Sequence, residues 1–217
     1  MILLIDHYDS FTFNLVQAFQ GLHQEVECVP HDHLTITELY QKRPQAVVLG
    51  PGPGHPRDAH LALHLLEDHP IHLPILGVCL GHQVMGLSAG ASVARSQHPK
   101  HGRSEQVHHR AAGLFDGLPS PASFIRYNSL TVSPQQLSPS WNITAWSEEG
   151  ELMALEHASA PWFGVQMHPE SAWSPYGVQI LRNFLKRASS ACSSMLLGAG
   201  ECSSPVEHEA TPRQKGV

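Results

Sequence analysis

The chain has 217 residues, is 41% hydrophobic, carries a formal net charge of −6 and contains four cysteines. That length fits one domain with a substantial apolar core. The acidic balance argues against nucleic acid as a partner, no apolar run is long enough to span a membrane, and four cysteines without paired spacing fit a reducing, cytoplasmic setting better than a disulfide framework.

In chain order, residues 2–5 predict a strand at the start, with neither a basic leader region nor a cleavage signature ahead of it. A helix follows over residues 13–22, then a strand over 25–29, where Cys28 falls in an alternating apolar run and reads as core. Residues 35–40 predict a helix and residues 46–49 a buried strand. That strand runs into Gly50-Pro51-Gly52-Pro53-Gly54, a loop with almost no side chains. Prolines have no N–H, so the amide donors at its centre are those of Gly50, Gly52 and Gly54. A stiff frame of this kind suits an oxyanion-binding donor, with Gly52 as the candidate. A phosphate-binding loop is the competing reading, weakened because neither Gly-Lys-Ser/Thr nor Gly-x-Gly-x-x-Gly spacing is present. A plain strand-to-helix turn is the third reading.

After a helix over residues 60–67, a short apolar strand over 74–78 ends in Gly77-Val78-Cys79-Leu80-Gly81-His82-Gln83, and a helical pattern follows over residues 83–89. Gly-x-Cys-x-Gly between a strand and a helix is the nucleophile-elbow arrangement with Cys in place of Ser. A sulfur at a helix N-terminus is favoured as thiolate, and the N–H of Leu80 is placed to meet an oxyanion. Residues 93–156 carry alternating, Thr/Ser/Trp-bearing segments with turn prolines, and predict an antiparallel insertion. Residues 163–167 predict another buried strand, followed by His168-Pro169-Glu170. Pro169 keeps the chain extended there, so His168 and Glu170 face the same side. His168 is then the candidate base for Cys79, and Glu170 the carboxylate that holds its tautomer. A helix over residues 175–187 ends the folded region. Residues 188–217, rich in Ser, Ala, Gly, Glu and Pro, predict a disordered tail after a domain over 1–187. The predicted fold is a doubly wound α/β layer structure: a mostly parallel sheet flanked by helices, with a small antiparallel insertion and ligand bound beyond the strands' carboxyl ends.

The seventeen histidines raise a metal reading. The nearest groupings are His31 with His33, His60 with His64, and His108 with His109. None has a third ligand or a zinc-type spacing, so they are read as solvated surface histidines, with no metal and no cofactor expected.

With these segments in view, the sequence resembles the class I (triad-type) glutamine amidotransferases, and more narrowly the small glutaminase subunit of aminodeoxychorismate synthase or anthranilate synthase. The resemblance is carried by Met1 through Thr12, Gly50-Pro51-Gly52-Pro53-Gly54, Pro74 through Gln83, His101-Gly102-Arg103, Arg126-Tyr127-Asn128-Ser129-Leu130, and Gly164 through Ser171. It implies Cys79 as nucleophile, His168 as base and Glu170 as its partner. It further implies glutamine contacts from Gly52, Leu80, Gln83, Ser129 and Leu130. Three positions depart from the family pattern: His7 stands where Asn is usual, Arg103 where Lys is usual, and Asn128 where His is usual.

The resemblance implies hydrolysis of L-glutamine to glutamate, with ammonia passed to a chorismate-utilising synthase subunit. The glutaminase accounts for the whole predicted domain, so a partner is expected to accept the ammonia. Residues 144–157 and 174–185 look closer to the aminodeoxychorismate side, which points to 4-amino-4-deoxychorismate. Anthranilate, or a subunit shared by both pathways, is the alternative. A stand-alone cysteine hydrolase or peptidase would use the same triad, and a non-catalytic regulatory subunit would have lost a member of it.

Overall fold

A computed structural model describes residues 1–198, with side-chain surroundings described to residue 190. The chain alternates strand and helix as the apolar runs predict: β1 (Ile2–Asp6), α1 (Thr12–Gly21), β2 (Val26–Pro30), α2 (Ile36–Gln41), β3 (Ala46–Leu49), α3 (His60–Glu67), β4 (Ile75–Val78) and α4 (Leu80–Ser88). Strands β5 (Val93–Arg95), β6 (Arg103–His109), β7 (Ala122–Arg126), β8 (Leu130–Val132), β9 (Trp141–Ser147) and β10 (Leu152–His157) come next, before β11 (Trp162–Val165) and α5 (Gly177–Gly198).

Nine strands form one sheet in the order β2-β1-β3-β4-β11-β10-β9-β6-β7. The pairs β2–β1, β1–β3, β3–β4 and β4–β11 are parallel. From β11 outward the pairs β11–β10, β10–β9, β9–β6 and β6–β7 are antiparallel. The predicted insertion therefore widens the same sheet, while β5 and β8 pair apart from it as a two-stranded ribbon.

The central strands β1, β3, β4 and β11 are buried on both faces, which is why they read as unbroken apolar runs. Their side chains sort by parity. Ile2 and Leu4, Ala46 and Val48, Leu76 and Val78, and Phe163 and Val165 face one core with Leu15 and Phe19 of α1 and Phe184 of α5. Leu3 and Ile5, Val47 and Leu49, Ile75 and Trp162 face the other, with Leu39 of α2, Leu65 of α3 and Met85 of α4. Helices thus cover both faces of the sheet.

Two expectations shift. Helix α5 continues to Gly198 instead of stopping at residue 187; the rest of the predicted tail, residues 199–217, lies outside the described residues. His109, read as a surface residue, is buried: it stacks on Phe115 with ring centroids 4.6 Å apart and its Nε2 lies 2.7 Å from the Pro119 carbonyl oxygen. Among the described residues no helix is long and apolar enough to cross a membrane, and no group of three or more His, Cys, Asp or Glu is placed to hold a metal ion.

Candidate active site

Strands β1, β3, β4 and β11 are parallel neighbours, so the residues that follow their carboxyl ends meet along one edge of the sheet. Those residues are His7, Gly52, Cys79 and, after β11, Gln166 and His168. Cys79 sits between β4 and α4 with φ 52° and ψ −98°. A left-handed backbone at a non-glycine residue costs on the order of 1–3 kcal/mol and persists only when its surroundings dictate it. Here the Cys79 N–H donates to the Val165 carbonyl at 2.9 Å, and the Cys79 carbonyl accepts from the Gln83 N–H at 3.1 Å.

The turn itself is made by Cys79; the flanking glycines serve a different purpose. A Cβ on Gly81 would lie 2.2 Å from the Leu49 carbonyl oxygen, and one on Gly77 would lie 2.6 Å from the Gly81 carbonyl. Both positions are bare so that the first turn of α4 can press against β3 and β4. This contact brings Leu80, whose N–H has no intrahelical partner as the first helical residue, next to the Gly-Pro loop. In that loop the Gly50 N–H is taken by the Ile5 carbonyl at 3.0 Å, so it is not the free donor its sequence position suggests. Gly52 packs so closely that a Cβ on it would lie 2.4 Å from His7 Cβ and 2.9 Å from Leu80 Cδ2.

His168 leaves the end of β11 pinned to β7 through its N–H, which donates to the Ile125 carbonyl at 3.0 Å. Its Nδ1–H donates to Glu170 Oε1 at 2.6 Å, and both side chains are buried. That bond leaves Nε2 as the nitrogen able to exchange a proton. Burial by itself would lower the pKa of His168, but the neighbouring Cys79 sulfur and the Glu170 carboxylate outweigh it, and the net shift is well upward. The surroundings therefore favour the protonated imidazole. Tyr127 and Phe11 cover it, with ring centroids 5.1 and 5.7 Å from that of His168.

Gln83, one turn along α4, donates to the Leu130 carbonyl at 3.0 Å and to Gln166 Oε1 at 3.1 Å, so its own carbonyl oxygen is what remains for a ligand. Leu130 begins β8 beside it; Ser129 is exposed at the rim, its carbonyl accepting from the Ser96 N–H at 2.9 Å. Cys79, His168, Glu170, Gly52, Leu80, Gln83 and Leu130 thus converge, with Ser129 at the margin. Behind them lies Arg126, fully buried, donating from Nη1 to Glu105 at 2.8 Å, from Nη2 to Glu151 at 2.5 Å and from Nε to Asn128 Oδ1 at 3.0 Å. Asn128 passes this on, its Nδ2 donating to the Leu130 carbonyl at 2.9 Å. An amide serves this bridging role without a titratable ring. Two histidines close to the site are held neutral: burial pushes His7 down to about 4, helped by neighbouring His31, and pushes His82 down to about 3.

Sequence reasoning missed Gln166, Phe11 and Tyr127 as site residues. Gln166 had a usable signal, since it is a polar side chain inside the apolar run of residues 163–167, and a buried polar group is the informative exception.

The family model for class I glutamine amidotransferases matches residues 3–188. The chain is 44% identical over 187 residues to aminodeoxychorismate synthase component 2 of Escherichia coli, covering 86% of this chain and 100% of that one. It is 40% identical over 192 residues to anthranilate synthase component 2 of Pseudomonas aeruginosa, covering 86% and 96% of the two chains. It is 40% identical over 186 residues to aminodeoxychorismate/anthranilate synthase component 2 of Bacillus subtilis, again covering 86% and 96%. Among solved structures, a Thermoplasma acidophilum protein described as part of a GMP synthase superposes with a TM-score of 0.81 at 26% identity, covering 90% of this chain and 96% of that one. With a strained cysteine at the strand–helix elbow, a His–Glu pair at the neighbouring strand end and a match that spans the sheet and its helices, the chain belongs to the class I glutamine amidotransferase family.

Proposed function

We propose that this chain is the glutaminase component of a chorismate-utilising synthase, with Cys79, His168 and Glu170 as its catalytic residues. The observation that carries the reading is the buried His168–Glu170 hydrogen bond beside Cys79, in a chain matching component 2 subunits over 86% of its length. The Cys79 thiolate attacks the side-chain amide carbon of glutamine, and the N–H groups of Gly52 and Leu80 receive the oxyanion. His168, protonated and steadied by Glu170, gives its proton to the leaving nitrogen as the C–N bond breaks. Ammonia departs and a glutamyl thioester remains. His168 then takes a proton from water, the hydroxide oxygen bonds to the acyl carbon, and the sulfur leaves as thiolate with release of glutamate.

A separate subunit binds chorismate and accepts the ammonia, as the component 2 names of the relatives suggest. Identity is higher to the aminodeoxychorismate relative than to the anthranilate one, which favours 4-amino-4-deoxychorismate as product. The Bacillus subtilis relative, named for both synthases, supports a second reading in which one subunit serves both. Cys28 and Cys79 are free thiols, in keeping with a cytoplasmic protein. The amidotransferase domain takes in residues 3–188, the stretch matched by the family.

The decisive experiment supplies the chain with glutamine, chorismate and, in turn, a synthase subunit of each type. Aminodeoxychorismate from one and nothing from the other is the expected result; anthranilate alone would overturn the pathway reading. In the same assay Cys79→Ser should abolish glutamine-dependent synthesis while synthesis from added ammonium salt persists. Retention of glutamine use by Cys79→Ser would remove Cys79 as the nucleophile.

A further inference from the structure

Gln166 belongs to neither the triad nor the implied glutamine contacts. It is fully buried, and its Nε2 lies 3.6 Å from Cys79 Sγ. Its Oε1 accepts from Gln83 Nε2 at 3.1 Å. The other N–H of that same nitrogen donates to the Leu130 carbonyl at 3.0 Å, and Asn128 Nδ2 donates to the same oxygen at 2.9 Å. Arg126 Nε closes the chain on Asn128 Oδ1 at 3.0 Å. A run of bonds thus joins a buried guanidinium to the sulfur.

The direction of these bonds is dictated. A guanidinium can only donate and a backbone carbonyl can only accept. Arg126 therefore turns Asn128 so that its oxygen faces the guanidinium and its NH₂ faces Leu130. The Leu130 carbonyl, with two lone pairs, takes one N–H from Asn128 and one from Gln83. Gln83 must then present its NH₂ group inward, and the second hydrogen of that group requires the oxygen of Gln166. The NH₂ of Gln166 is left facing Cys79. Reversing Gln166 would set two NH₂ groups against each other and a carbonyl oxygen against the sulfur, both away from water, where unpaired polar groups are most costly.

We propose that Gln166 is a further catalytic residue, whose side-chain amide donates to the Cys79 sulfur and holds it as an aimed thiolate, with its polarity imposed by Gln83 and the Leu130 carbonyl. The proposal rests on the reading of Cys79 as nucleophile. No proton is transferred: Gln166 stays a neutral amide throughout. The bond acts twice, once in presenting the thiolate to glutamine and again when the sulfur departs from the glutamyl thioester as thiolate. Hydrogen bonds to charged acceptors are the stronger class, so losing this one should change rates by about tenfold or more.

The test compares the full chain with its Gln166→Leu and Gln166→Glu variants. Alkylation by iodoacetamide is followed as a function of pH on the peptide containing Cys79, and glutaminase turnover is measured with the synthase subunit present. Gln166→Leu should alkylate about tenfold more slowly at neutral pH, with its profile displaced to alkaline pH, and kcat should fall by a similar factor with glutamine KM little changed. Gln166→Glu, which sets a carboxylate against the sulfur, should be displaced further. Folded variants whose alkylation profiles overlay that of the parent would overturn the proposal, because a purely structural glutamine would alter stability without moving the thiol. Should neither variant fold, the parent chain labelled with ¹⁵N in its glutamine side chains answers the same question: one buried NH₂ pair must shift on alkylation of Cys79, and none shifting overturns the proposal. Cys79→Ala separates the two claims. If it still hydrolyses glutamine, the nucleophile assignment fails; if it is inactive while the Gln166 variants match the parent, only the role of Gln166 fails.

Discussion

At the scale of single residues, the site combines a charged pair with neutral histidines, and the two respond to pH in opposite directions. His7 and His82 are held far below the ordinary histidine value by burial, at about 4 and about 3. In the unfolded chain they take up protons near pH 6.5, before the folded protein does, so their contribution to stability is present above that pH and lost as the pH falls from 6.5 toward 4 and 3. His168 is raised, so its contribution is present below pH 6.5 and lost as the pH rises through its folded value. Stability should therefore peak between these limits. Melting temperature should drop by at least about 5 °C between pH 7 and pH 5, with a smaller drop in His7→Asn. Superimposable pH profiles for the two proteins would show that His7 does not drive the acid loss. Glu170 allows a second test at this scale. Glu170→Gln preserves size but removes the charge that stabilises the imidazolium and fixes its tautomer. Turnover should fall by roughly two to four orders of magnitude while the thermal transition persists. A lost transition would make Glu170 structural. The spacing of His168, Pro169 and Glu170 made this pair legible in the sequence, and the Gly-x-Cys-x-Gly segment did the same for Cys79. Gln166 was harder to read because its partners, Gln83 and Cys79, are distant in sequence and meet only when β4 and β11 pair.

At the scale of elements, β3 and α3 have the predicted ends, and α1 and β2 lie within a residue of them. Local pattern suffices where an unbroken apolar run marks a buried strand, as in β3, or where apolar residues recur at helical spacing, as in α3. Helix α4 begins at Leu80, ahead of the expected residue 83, because no side chain caps it: Cys79 occupies the N-cap position without a capping hydrogen bond. The usual Ser, Thr, Asp or Asn signal is absent. Helix α5 outruns its predicted end for another reason. Ser189 and Ser190 would suggest a loop, but their hydroxyls donate to the carbonyls of Leu185 and Lys186 at 3.0 Å, which lets them sit within the helix. Alternation over residues 93–156 announced antiparallel strands; that β10 would join β11, extending the parallel sheet, depends on long-range pairing that no local pattern encodes. The tight seat of α4 offers a test. Gly81→Ala places a methyl 2.2 Å from the Leu49 carbonyl, so the helix start must move. Overpacking of this kind costs about 1–3 kcal/mol, or about 2–4 °C of melting temperature per kcal/mol. Glutaminase turnover should fall further than stability alone would explain, since Cys79 and Leu80 move with the helix. Unchanged melting and turnover would refute the close seat.

At the scale of the whole molecule, the residues proposed as nucleophile, base and oxyanion donors follow three neighbouring strands, β3, β4 and β11, and the Gly-Pro loop is where adjustment is expected. Its base is fixed, since Gly50 is bonded to Ile5, and its far end includes Gly54 at φ 89°. Between them Gly52 fits against His7 and Leu80 with no room for a side chain, and the prediction is that a small rotation of its peptide turns its N–H toward or away from the oxyanion position. A glutaminase working without an acceptor would release ammonia to no purpose, and the prediction is that the partner sets the rate through this loop. Loss of one oxyanion donor costs about 3–4 kcal/mol, or two to three orders of magnitude in turnover. The expected outcome is slow glutamine hydrolysis by the chain alone, faster hydrolysis with the synthase subunit, and the highest rate when chorismate is added to that pair. Gly52→Ala should be slow under all three conditions, because a Cβ there meets His7 Cβ at 2.4 Å and holds the loop away. The measurement is glutamate release under each condition at saturating glutamine. Equal rates in all three for the parent chain would mean that the Gly52 amide is already in place without a partner, and that control of ammonia release lies in the synthase subunit instead of this loop.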